Sequence, residues 1–142
     1  MLVLSSFLTG ALEILIPNLV NEIKEPEEVP GELFMIERVA RIMKSEPAKN
    51  YRIAELATYA KMSKISLYRG FRKLYGASPT EFLTGLRMQK AVKLFLNTDN
   101  TIQTIALDTG YQHGAGLMKA LRNNLDVTPG ELRGKKMIQS DN

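Results

Sequence analysis

Lys61, Lys64, Arg69, Arg72 and Lys73 place five positive charges within the thirteen residues 61–73, with no acid among them. On a helix reading SKISLYRGFRKLYG, a stripe of Leu67, Phe71 and Leu74 at i, i+4, i+7 would face a core, leaving Lys64, Ile65, Tyr68, Arg69 and Arg72 on the other sides. Such a face suits recognition of duplex DNA. A helix fits the major groove, where arginine reads guanine through paired hydrogen bonds and apolar atoms touch the thymine methyl. Flanking lysines and arginines hold phosphates and set the register.

Catalytic chemistry is poorly provided for. There is one histidine and no cysteine, which removes thiol nucleophiles, disulfides and the ordinary His- or Cys-based metal sites. The acids of the basic region are scattered and no phosphate-cradling glycine loop occurs, so neither an enzyme nor a cofactor nor a metal is expected. His113 stands just before a helix and reads as a helix-start residue.

The overall charge of +4 conceals a division. Residues 1–37 hold seven acids against one base, net −6, whereas residues 38–142 hold eighteen bases against eight acids, net +10. A basic domain behind an acidic extension points to a polyanionic partner. The apolar opening, Met1 to Pro17, lacks the basic start and cleavage site of a signal peptide and is too short to span a membrane. The expected location is the cytoplasm, at the nucleoid.

The elements that must position these residues are all helices. Hydrophobic residues make up 44% of the chain, enough for a packed core, and no strand-period alternation competes. Residues 1–23 carry Leu4, Leu8, Leu12, Leu15, Leu19 and Ile23 at helical spacing, an apolar load that calls for a partner surface or a second copy of the chain. A proline-rich acidic linker, KEPEEVPG, follows. Helices are predicted over Glu32–Lys44, Ile53–Ala60 and Lys64–Tyr75, the last capped by Ser63 and closed by Gly76. Ser78, Pro79 and Glu81 form the clearest helix start, a capping box with proline at the first position, for a helix to about Leu96. Helices over Ile102–Thr109, capped by Thr101, and Gly114–Asn124 follow, and Thr128-Pro129-Gly130-Glu131 opens a last turn.

Sliding the chain on itself reveals a repeat. Leu56-Ala57 meets Ile105-Ala106 at a shift of 49; Leu67, Phe71, Arg72, Pro79 and Glu81 meet Leu117, Leu121, Arg122, Pro129 and Glu131 at a shift of 50. Each unit is a short helix with a small residue inside, a tight turn, a longer basic helix and a capped helix start. The small residue permits two helices at a steep angle to approach closely, as in a helix-turn-helix. The helix between the units would span roughly 27 Å at 1.5 Å per residue. That length is compatible with two reading helices about 34 Å apart, one turn of DNA.

With these features the stretch from Tyr51 to Arg133 resembles the DNA-binding domain of the AraC/XylS family of bacterial transcriptional regulators. The likeness rests on ELATYAKMSKISLYRGFRKLYGASPTEFL, LRMQKAVKLF, TIQTIALDTGY and VTPGELR. It implies two helix-turn-helix subdomains joined by a long central helix, each placing one helix in the major groove. The expected organisation is an apolar helical extension and acidic linker over 1–31, a DNA-binding domain over 32–136 and a tail over 137–142. Within the domain, subdomain one covers about 32–77, the linking helix 78–97 and subdomain two 98–136. Carried over by position, Ile65, Tyr68 and Arg69, then Gly114, Ala115, Met118 and Lys119, match base-reading places. Thr101, Arg72 and Arg122 match backbone contacts, to which the surrounding Lys61, Lys64 and Lys73 are added.

Departures from the family pattern include Lys61 at the turn glycine, Asp126 at a second glycine, Leu117 and Leu121 where phenylalanine is usual, and Gly114 and Gly116 in the second reading helix. The second unit has little side chain with which to read bases. Only residues 1–50 precede the first helix-turn-helix, where family members carry a sensor or dimerisation domain, so the chain is either a short member or a C-terminal piece. The expected partner is double-stranded DNA, with RNA polymerase and a second copy through residues 1–23 as further candidates. The rival reading is a protein-interaction module, or a regulator of other regulators, that self-associates through its N-terminal helix.

Overall fold

The computed structural model describes residues 31–140, with side chains as far as Lys135. The expectations for residues 1–23 and for most of the acidic linker lie outside the described residues. Seven helices and no strand occur among those described: α1 Glu32–Ser45, α2 Ile53–Tyr59, α3 Lys64–Tyr75, α4 Pro79–Asn97, α5 Ile102–Asp108, α6 Gly114–Leu125 and α7 Pro129–Ser140. None of them is long and apolar enough to cross a membrane.

Two hydrophobic clusters form, one per unit. In the first, Ile36, Val39, Ala40 and Met43 of α1 meet Leu56 and Ala57 of α2, Leu67 and Phe71 of α3, and Leu83 of α4. In the second, Met88, Ala91 and Phe95 of α4 meet Ile105 and Ala106 of α5, Leu117 and Leu121 of α6, and Leu132 of α7. The central helix therefore serves both cores from opposite ends. Fully burying each of Phe71 and Phe95 contributes on the order of 1.5–3 kcal/mol.

Local chemistry sets the helix ends. The Ser78 hydroxyl accepts from the Glu81 amide at 3.1 Å, and the Glu81 carboxylate accepts from the Ser78 amide at 2.8 Å, completing the capping box that starts α4. Arg133 of α7 donates from its guanidinium to the carbonyl oxygens of Thr98 (2.6 Å) and Asn100, and lies 5.2 Å from the Phe95 ring, tying α7 to the end of α4.

Two expectations need correcting. The segment read as a last turn is a twelve-residue helix, α7, whose backbone continues to Ser140 and so into the segment read as tail. Leu74 is 37% exposed rather than part of a buried stripe. Tyr75 takes the inward position instead, its ring 5.5 Å from Phe71 and 4.7 Å from Phe82.

Candidate nucleic-acid interface

The two helix-turn-helix units share their turn geometry. The Met62 amide donates to the Ala57 carbonyl at 3.0 Å, and the Tyr111 amide to the Ala106 carbonyl at 2.8 Å. Ala57 and Ala106 are buried, as the close crossing of the paired helices requires. Both turns pass through the left-handed region, at Lys61 (φ 56°) in the first and Gly110 (φ 94°) in the second. The reading helices also end alike, on Gly76 (φ 69°) after α3 and on Asp126 (φ 53°) after α6. Each unit thus has glycine at one left-handed position and a side chain at the other, and an L-residue there costs roughly 1 kcal/mol.

Helix α3 turns Leu67, Gly70 and Phe71 inward. Gly70 is required by packing: a Cβ there would stand 2.5 Å from Ile36 Cγ1. The opposite side exposes Ile65 (70%), Tyr68, Arg69 and Arg72. Ser63 caps the helix, its hydroxyl accepting from the Ser66 amide at 3.1 Å. Lys61, Lys64 and Lys73 add exposed positive side chains along the same unit. Arg72 donates to Glu81 at 3.3 Å, so the capping-box carboxylate competes for one of the cations expected to meet phosphate. Ser78, first through its amide and then its hydroxyl, and Arg72 after it hold the Glu81 carboxyl below the usual glutamate value.

In α6 the register repeats at a shift of 50. Leu117 and Leu121 are fully buried, and Ala115, Met118, Lys119 and Arg122 are exposed. Gly114, grouped with the base-reading places, is half-buried, and its would-be Cβ lies 3.0 Å from Ile102 Cγ2. Gly116 is open: the nearest atom to a Cβ there would be Tyr111 Cδ1 at 3.7 Å. His113 is the residue before α6, as expected, but its side chain does not cap the helix. Gln103 of α5 does so from a distance, its Oε1 accepting from the Gly114 amide at 3.0 Å and its Nε2 donating to the Gln112 carbonyl at 3.2 Å. Thr101, expected at the DNA backbone, caps α5 by accepting from the Thr104 amide at 3.1 Å.

The structure therefore gathers Ile65, Tyr68, Arg69 and Arg72 on one face of α3, and Ala115, Met118, Lys119 and Arg122 on the matching face of α6. Sequence reasoning missed Gln103 and Arg87, both of which bind backbone groups on other elements. Among the described residues, no group of three or more histidines or acids could hold a metal ion.

A family model described as a helix-turn-helix domain matches residues 56–135. An HTH-type transcriptional regulator of Haemophilus influenzae is 34% identical over 88 residues, covering 62% of this chain and 30% of that protein. The RCS-specific HTH-type transcriptional activator RclR of Escherichia coli is 33% identical over 95 residues, covering 67% of this chain and 34% of its own length. The chain thus spans about a third of these relatives. Among solved structures, the DNA-binding domain of AdpA in complex with a target DNA superposes with a TM-score of 0.68 at 23% identity, covering 73% of this chain and 94% of that one. An AraC-type regulator from Chromobacterium violaceum gives 0.66 at 24% identity, covering 76% and 96%. Both share the fold.

Proposed function

The chain belongs to the AraC/XylS family of helix-turn-helix regulators, and on that premise we propose that it is a sequence-specific DNA-binding regulator of transcription, seating α3 and α6 in successive major-groove turns. One observation carries the reading: two exposed faces of the same register, 65/68/69/72 and 115/118/119/122, stand on helices whose backs are locked into separate cores. The AdpA domain, which has the same fold, was solved on its target DNA. RNA polymerase is the partner such a regulator would address at the nucleoid, and residues 1–23 are its candidate self-association segment.

The two units divide the labour unequally. Ile65, Tyr68 and Arg69 offer stacking, apolar and paired hydrogen-bonding groups to bases. Ala115 and Met118 offer only apolar atoms and Lys119 one amine, so the second unit has few hydrogen-bonding groups for bases and mainly grips phosphate. Duplexes selected by the protein from a random-sequence pool provide the test, bound at several salt concentrations with chelator present. Affinity should fall steeply as salt rises. Arg69→Ala should relax base preference by about 1–3 kcal/mol at one position. Arg72→Ala and Lys119→Ala should instead weaken all sequences alike and lower the salt slope by about one each. Absence of any selected duplex, from a folded sample at low salt, would refute the function. Equal losses on scrambling either half-site would refute the asymmetry.

A further inference from the structure

Arg87 lies near the middle of α4, where the two cores change over. Its Nε donates to the Pro47 carbonyl at 2.8 Å, and its Nη2 to the Lys49 carbonyl at 3.0 Å. Both carbonyls belong to the loop between α1 and α2, in the first unit. The same guanidinium stands 5.5 Å from the centroid of the Tyr111 ring, in the turn of the second unit. Beside it Gly110 closes the gap. A Cβ at Gly110 would stand 2.8 Å from the Ala48 carbonyl oxygen and 2.8 Å from Arg87 Cζ. The loop of one unit thus meets the turn of the other with a single arginine fork between them.

A continuous helix fixes how far apart two units sit along its axis. Their mutual rotation about that axis then rests on the torsional stiffness of α4 and on the packing of each core against its own end. A contact off the axis that joins the α1–α2 loop to the α5–α6 turn adds a direct restraint on that rotation. Arginine suits the task, since its planar fork donates in two directions while its face meets a ring; lysine offers a point charge that cannot bridge both carbonyls in the same geometry.

We propose that Arg87 is a positioning residue that locks the two units in one mutual orientation, so that the protein accepts DNA half-sites at one spacing and rejects others. The spacing part of this inference rests on the DNA-binding reading; the lock itself does not.

The chain has no cysteine, so Lys64→Cys and Asn123→Cys, on exposed positions of α3 and α6, introduce the only thiols for paired spin labels. Pulsed electron paramagnetic resonance on the full chain should give one narrow distance distribution. Arg87→Met keeps the alkyl stem but removes both donors, and should broaden or shift that distribution; Arg87→Lys, which keeps charge and stem, should do the same and serves if the methionine variant does not fold. In parallel, duplexes selected by the unsubstituted chain receive one extra base pair between the half-sites. The unsubstituted chain should lose most of its affinity for them, and the Arg87 variants much less of theirs relative to the original spacing. A distribution as narrow and as centred in the folded variant as in the parent would overturn the lock. Spacing selectivity unchanged in a variant that still binds would overturn its role in recognition. If the parent binds no duplex, the functional reading fails, while the lock stands or falls on the distances.

Discussion

Gly116→Ala isolates the contribution of a glycine inside the second reading helix. The position is exposed, and the new methyl would meet only Tyr111 Cδ1, at an ordinary van der Waals distance of 3.7 Å. No packing penalty therefore offsets the gain in helix propensity. Gly116 is the third residue of α6, where fraying dilutes propensity, so the substitution should stabilise by about 0.5–1 kcal/mol. For a domain of this size that is a rise in Tm of roughly 2–6 °C. Thermal melts followed by far-ultraviolet circular dichroism would measure it, with Gly114→Ala as the contrast. There the methyl would stand only 3.0 Å from Ile102 Cγ2, and the gain should shrink or vanish. Affinity for the selected duplexes should not change in Gly116→Ala, because the second unit is read as gripping phosphate through Lys119 and Arg122. A Tm that stays put or falls would refute the propensity argument. A higher Tm with sharply weaker binding would assign the glycine to close backbone approach on DNA and sink the asymmetry between the units.

Gly70→Ala should act oppositely, because its methyl would overlap the buried Ile36 side chain at 2.5 Å; overpacking should outweigh propensity and destabilise by about 1–2 kcal/mol in urea titrations. Lys61→Gly relieves a left-handed lysine at φ 56° and should stabilise by about 0.5–1 kcal/mol, while removing a cation and lowering affinity for every duplex alike in the binding assay. Glu81 titrates below its ordinary value in the folded chain, so its contribution is complete above that value and is lost as pH falls through the depressed one. Glu81→Gln should accordingly flatten that part of the acid limb when urea midpoints are compared across pH, and should strengthen DNA binding by releasing Arg72.

What the sequence made legible was local or repeated. Ser78, Pro79 and Glu81 announce a helix start within four residues, and the structure builds that capping box. The shift of 49 and 50 residues located both turns and both reading helices, because the two halves report on one another. Leu74 misled because its spacing suits a buried stripe, yet α3 ends one residue later and Tyr75 joins Phe71 and Phe82 in the available space. Helix α7 was underestimated because Gly130 and Gly134 lower its propensity, while Leu132 and Arg133, which dock it on the end of α4, act through tertiary contacts. Arg87 could not be found by pattern. Its carbonyl partners are 38 and 40 positions away, and backbone acceptors carry no residue type to recognise.

The division of the buried residues into two clusters, each built on its own end of α4, has a consequence for how such a protein changes over time. Leu67 and Phe71 share no cluster with Leu117 and Leu121, and sites without shared partners combine additively. One reading head can therefore drift toward a new half-site while the other continues to hold the old one. Ala115 and Gly116 stand where the first unit has Ile65 and Ser66, an imbalance that this modularity tolerates.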